Sequence, residues 1–135
     1  MKVLIDTSVW SLALRRAHPS DSPVVRELAE LIREGRVVMI GKVRQEILSG
    51  VRDPRQFRRL RNHLRAFPDV AAETSDFEAA AQVYNRCRAA GIQGSNTDFL
   101  ICALALARRF AVFTTDADFG EYQRVIPLVL HQTRG

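Results

Sequence analysis

What most limits the folds open to this 135-residue chain is the alternation of short apolar, β-favouring runs with segments of helical period. The first run, Val3, Leu4 and Ile5 within Lys2 to Asp6, is apolar throughout and ends on a carboxylate. So short an unbroken apolar run reads as a strand covered on both faces. Val37 to Ile40 and Ala111 to Thr114 repeat the pattern, and Val70 to Ala72 and Leu128 to Leu130 are weaker candidates. Strands separated by helices predict an α/β domain whose mostly parallel sheet is flanked by helices in three layers. In such sheets ligands sit outside the carboxyl ends of the strands. The residues just past those ends are therefore the first place to look for chemistry.

The helices have their own signals. Thr7 to Leu14 has helical character, whereas Arg15 to Ser22, with His18, Pro19 and Asp21, shows no period. Pro23 opens a helix capped by Asp21 or Ser22, with Val24, Leu28 and Leu31 on one stripe and Gly35 past its end. Lys42 to Leu48 forms a short helix, and Pro54 starts another that carries Phe57, Leu60, Leu64 and Phe67 inward before Pro68 stops it. Ser75 and Glu78 have the spacing of a capping box for a helix through Ala90. Gly91 and Gly94 mark a loop, and Phe99 to Arg109 is a helix apolar on nearly every side.

Composition narrows the function classes. Residues 1–135 suit a single domain with a sizeable core, and 47% hydrophobic with 26% charged residues argues against disorder. The longest apolar run, Phe99 to Ala107, falls far short of the roughly 20 residues of a membrane span. Asp6 interrupts the only stretch resembling a signal-peptide core, which leaves the cytoplasm as the default location. Cys87 and Cys102 lie far apart in helical patterns and read as buried thiols. His18, His63 and His131 lack ligand spacing, against a zinc site. Lys2 and Lys42 are the only lysines, so arginine carries most of the positive charge behind the net +5 and favours a polyanionic partner.

Taken singly, the candidate acids have ordinary uses. Asp6 could cap the helix after it, Asp98 could complement the dipole of a buried helix, Asp116 could open a turn, and Glu46 could pair with a neighbouring arginine. Their contexts change the weighing. Asp6 follows a buried strand, Asp98 enters an apolar helix, and Asp116 follows Thr114 and Thr115 at a strand end. Carboxylates gathered in partly desolvated places repel unless a cation sits among them. Oxygen ligands without histidine or cysteine favour Mg²⁺ or Mn²⁺.

Four segments, "VLIDTSVW", "RQEILSG", "TDFLICALA" and "FTTDADF", give the chain a resemblance to the PIN-domain ribonucleases, specifically the VapC-type toxins of toxin–antitoxin pairs. The resemblance spans essentially the whole chain. It implies a PIN-like fold, Mg²⁺ or Mn²⁺ held by Asp6, Glu46, Asp98 and Asp116, endonucleolytic cutting of RNA, a homodimer, and a VapB-type antitoxin that blocks the acidic site with an arginine in place of the metal's charge. Asp118, in the same final motif, is a second-choice ligand. Thr7, Ser8 and Thr115 carry hydroxyls that could orient a ligating carboxylate or a water, or cap local turns. Asp6, Asp98 and Asp116 are expected to hold the ion or ions, and Glu46 to bind a second ion or orient the attacking water.

Arg52, Arg55, Arg58, Arg59, Arg61 and Arg65 gather on and before one helix. They form either a solvated face or a contact surface for RNA phosphates, in which case Arg55, Arg58, Arg59, Arg61 and Arg65 bind RNA. A rival function is a PIN-like protein-binding module that cuts nothing. A phosphoacceptor domain is a third reading, opposed by the lack of a D-x-D-x-T pattern around Asp6.

Overall fold

The computed structural model of the protein describes residues 1–15 and 22–135. The aperiodic stretch after Arg15 and the cap candidate Asp21 lie outside the described residues. Ser22, the other candidate, occupies the N-cap position, although its side chain makes no capping bond.

Three parallel strands form the sheet: β1 (Val3–Ile5), β2 (Val37–Val38) and β3 (Ala111–Phe113), in the order β2-β1-β3. Leu4 pairs with Val38 on one side and Val112 on the other. Successive side chains of a strand face opposite sides, so the complete burial of Val3, Leu4 and Ile5 means that both faces of β1 are covered. The alternation of apolar runs and helices therefore yields the expected α/β architecture.

Neither weaker candidate forms a strand: Leu128 to Leu130 keeps one bridge, Leu130 with Val112, and near Val70 to Ala72 the bridge falls just outside, on Asp69 with Met39. Arg108 donates to the Ala71 carbonyl at 3.1 Å, and Gln123 donates to that of Leu128 at 3.0 Å. β2 likewise stops at Val38 rather than Ile40.

The helices are α1 (Thr7–Arg15), α2 (Pro23–Arg33), α3 (Gly41–Leu48), α4 (Pro54–Leu64), α5 (Thr74–Ala89), α6 (Asn96–Arg108) and the short α7 (Asp118–Tyr122). α1 packs on α2 and α3, α3 on α4, and α5 along α6, which also meets β3. Leu28 and Leu31 of α2 and Leu64 of α4 are buried as their stripes require. Each such leucine contributes about 1.5–3 kcal/mol relative to an exposed one. Cys87 and Cys102 are buried free thiols.

The capping box of α5 differs from expectation. It is built by Glu73 and Asp76, whereas Ser75 and Glu78 are exposed. Asp76 accepts the Glu73 backbone N–H at 2.8 Å and both guanidinium nitrogens of Arg108 at 2.8 and 3.0 Å. Those Arg108 bonds hold the Asp76 carboxyl below its usual range. The long-range partner selects the cap, and sequence spacing alone could not name it.

Connectivity decides where a ligand can enter. From central β1 the chain goes to β2 on one side, then returns to β3 on the other. The carboxyl ends of β1 and β3 thus flank a switch point, the crevice where open α/β sheets bind ligands.

Candidate functional site

Asp6 emerges from β1 beside the end of β3, where its backbone N–H donates to the Phe113 carbonyl at 2.9 Å. Its carboxylate is buried, 6% exposed, and Oδ2 accepts two hydroxyls, from Ser8 at 2.8 Å and from Thr114 at 2.7 Å. Each hydroxyl in turn accepts a backbone N–H of the loop after β3. Thr115 donates to Ser8 Oγ at 3.1 Å, and Asp116 donates to Thr114 Oγ1 at 2.9 Å. Two relays therefore set the position of the Thr114–Asp116 loop against Asp6.

The sequence singles out Thr115 as the hydroxyl of this loop, but the one that meets Asp6 is Thr114. Thr115 is exposed and engages through its backbone. The register supplies the reason. Ile5 pairs with Phe113, so Asp6 and Thr114 are the next residues of adjacent parallel strands.

Asp98 lies in the first turn of α6, where Ser95 caps the helix by accepting the Asp98 backbone N–H at 3.0 Å. The cap leaves the Asp98 carboxylate free for the crevice. There it meets Asp116 and Asp118, and one carboxylate oxygen from each lies within 4.8 Å of the others. Asp116 spends Oδ1 on the Asp118 backbone N–H at 2.9 Å, turning the chain into α7. Asp116 thus has the turn-forming role its setting allows and still belongs to the acidic group.

Burial chiefly raises the Asp98 carboxyl above its ordinary range, with the charges of Asp6 and Asp116 adding to the rise and a Tyr122 hydrogen bond opposing it. A concentration of negative charge in partial burial calls for a cation, and the donor set is entirely oxygen. The residues fit a hard divalent ion.

No local pattern in the sequence marks Tyr122. Its side chain is completely buried, and its hydroxyl donates to Asp98 Oδ2 at 2.7 Å. Burial, then the bond to Asp98 and that carboxylate's charge, keep the phenol protonated well above its usual range. Gly94 makes room for it. A Cβ there would overlap the phenol oxygen and stand 2.7 Å from Phe99 Cζ, although the glycine's φ is not positive. An isolated loop glycine was the available signal, but its meaning lies in a side chain 28 positions later.

Glu46 stands apart from the three aspartates. It is exposed on α3, and Thr7 Oγ1 donates to its Oε1 at 2.6 Å. Thr7 directly follows Asp6, so this bond ties Glu46 to the same strand end. Glu46 also lines a cleft of about 430 Å³ between α1, α3 and α4, with Ser11, Ile47 and Leu60. On α4, Arg55, Arg58 and Arg59 are exposed, as is Arg65 beyond its end, and none forms an ion pair among the described residues. Arg61 is half-buried and approaches Asn62 Oδ1 at 3.4 Å.

No helix among the described residues is long and apolar enough to cross a membrane. The fold is similar to that of VapBC2 from Rickettsia felis, solved bound to a promoter DNA fragment, with a TM-score of 0.73, 16% identity and 97% and 98% of the two chains covered. It is also similar to FitAcB from Neisseria gonorrhoeae, with a TM-score of 0.76, 22% identity and 96% of each chain covered. For VapBC-1 from nontypeable Haemophilus influenzae the TM-score is 0.71, at 15% identity with 98% of each chain covered. Comparison with curated proteins returns no sequence match. The PIN domain family model matches residues 3–125. The chain belongs to the PIN-domain family.

Proposed function

We propose that this protein is a Mg²⁺- or Mn²⁺-dependent endoribonuclease, the VapC-type toxin of a toxin–antitoxin pair. The observation that carries the reading is the convergence of Asp98, Asp116 and Asp118 beside Asp6, at the switch point of a PIN-family sheet. Asp98, Asp116 and Asp118 would hold the ion, with Asp6 adding charge and anchoring the loop that carries Asp116. A divalent ion bound there supplies charge stabilisation to a phosphodiester and lowers the pKa of water. Glu46, tied by Thr7 to the strand end that carries Asp6, would bind a second ion or orient the attacking water.

The arginines of α4, without an ion pair among the described residues, offer charge for RNA phosphates, and the cleft shared by Leu60 and Glu46 sets that helix beside Glu46. The likeness to the VapBC structures supports a VapB-type antitoxin partner, and a homodimer and a cytoplasmic setting go with the VapC-type reading.

The test uses protein stripped of any partner. It should cut RNA with Mg²⁺ or Mn²⁺ and stop when chelator is added. Asp98→Asn should abolish turnover without lowering Tm in metal-free buffer, since it removes a partly buried repelling charge. Chelator-resistant cutting, or wild-type turnover in Asp98→Asn, would overturn the proposal. RNA binding without any cleavage would favour the non-catalytic module.

A further inference from the structure

We propose that Tyr122 is a positioning residue for the metal centre, holding Asp98 so that one of its oxygens faces Asp116 and Asp118. This rests on the reading of those aspartates as metal ligands and adds to it a residue outside the acidic set.

The phenol reaches only one oxygen of Asp98, Oδ2, at 2.7 Å. A carboxylate on a helix can rotate about its side-chain torsions, and a single fixed donor removes that freedom while leaving the second oxygen available. The donor is itself tightly held. Its ring is completely buried, with centroids 5.2 Å from Phe99 and 5.1 Å from Phe119. Phe99 follows Asp98 on α6, so the same contact that seats the phenol also seats the helix turn carrying the carboxylate.

Tyr122 also connects the two halves of the acidic group. It closes α7, the five-residue helix that Asp118 opens. Asp116 in turn accepts the Asp118 N–H. The loop bearing Asp116 and Asp118 and the helix bearing Asp98 come from distant parts of the chain. Through α7, a shift of one is passed to the other by the Tyr122–Asp98 bond. Gly94 points to the same requirement from the opposite side, because even a methyl group there would displace the phenol. Outer partners of ligating carboxylates fix ligand orientation, and their loss typically weakens metal binding about 10- to 100-fold.

The test is Mn²⁺ binding to the full chain, followed by the EPR signal of free ion, without RNA or turnover. Tyr122→Phe keeps the ring and its contacts, so the circular dichroism spectrum should be unchanged while the Mn²⁺ dissociation constant rises about ten-fold. In an Asp98→Asn background the same substitution should add no further loss, because its effect passes through that carboxylate. Gly94→Ala, which leaves the tyrosine in place but pushes the phenol away, should weaken binding in the same direction.

Wild-type affinity in folded Tyr122→Phe would overturn the inference, as would an equal loss with and without the Asp98 carboxylate. Wild-type affinity in folded Gly94→Ala would also count against it. If the unaltered chain binds no Mn²⁺ and Asp98→Asn changes nothing, the metal-ligand reading fails and this inference falls with it. If Asp98→Asn loses the metal but Tyr122→Phe retains it, only the inference fails.

Discussion

Thr114 donates its hydroxyl to Asp6 Oδ2 at 2.7 Å across the ends of two adjacent parallel strands, and Thr114 Oγ1 itself accepts the Asp116 N–H at 2.9 Å. One hydroxyl thereby joins the carboxylate after β1 to the loop after β3. Thr114→Val keeps the shape and removes the relay. It should cost about 1–3 kcal/mol in stability, at roughly 0.5–1.5 kcal/mol for each of the two hydrogen bonds lost, and lower kcat/KM for RNA about 10- to 100-fold. Thr114→Ser should restore most of the activity. Chemical denaturation and steady-state kinetics on the three proteins check both effects.

Asp116 and Asp118 both reach the acidic group, but they differ in what else they do. Asp116 also accepts the Asp118 N–H that begins α7, so Asp116→Ala removes a ligand and loosens the turn. It should be nearly inactive at both limiting and saturating Mg²⁺. Asp118 is exposed at the start of α7, and Asp118→Ala should recover partly as Mg²⁺ rises. Rates measured across a Mg²⁺ titration decide the ranking, and the reverse order would exchange the two roles.

Arg58 and Arg59 are exposed on α4 without an ion pair among the described residues. If they meet phosphates, their double replacement by alanine in an Asp98→Asn background should weaken RNA binding. The slope of log K against log salt should also become shallower by about 1.4, at roughly 0.7 per phosphate contact on a single strand. An unchanged slope would identify a solvated face.

Outside the acidic group, a buried carboxylate fastens the tail of the chain. Glu27 on α2, 5% exposed, accepts from His131 Nε2 at 2.6 Å and Arg134 Nε at 2.8 Å. The His131 backbone also joins the Val112 bridge at the edge of β3. Burial alone would raise the Glu27 carboxyl, but the His131 and Arg134 bonds together outweigh it and leave its pKa below 4.5. A lowered carboxylate stabilises the fold fully above its unfolded pKa, and that contribution is lost as pH falls through the folded value. Glu27→Gln should therefore cost about 1 kcal/mol at pH 7 after allowance for solvent screening. It should also flatten the fall in stability below about pH 4.5. Urea unfolding from pH 7 to pH 3 checks the sign.

Some of this architecture was legible one residue at a time. The strand β1 could be read from Val3, Leu4 and Ile5 because burial on both faces demands an unbroken apolar run, and α4 from its stripe and its Pro54 start, although it ends at Leu64 rather than running through Phe67 to Pro68. Asp6, Asp98 and Asp116 stood out because strand ends and helix starts are local features, and the rule about carboxyl ends gave them a common address. Tertiary structure alone decided which groups meet there. Glu46 stays outside the three-aspartate group, Asp118 enters it, and Thr114 rather than Thr115 supplies the hydroxyl to Asp6. Register and connectivity set those choices, because a one-residue change along a strand reverses the face a side chain takes. The cap at Asp76 waited on Arg108, and the purpose of Gly94 waited on Tyr122. Periodicity records which side of an element is buried, whereas a hydrogen bond between distant residues depends on how whole elements dock, and no local pattern encodes that distance.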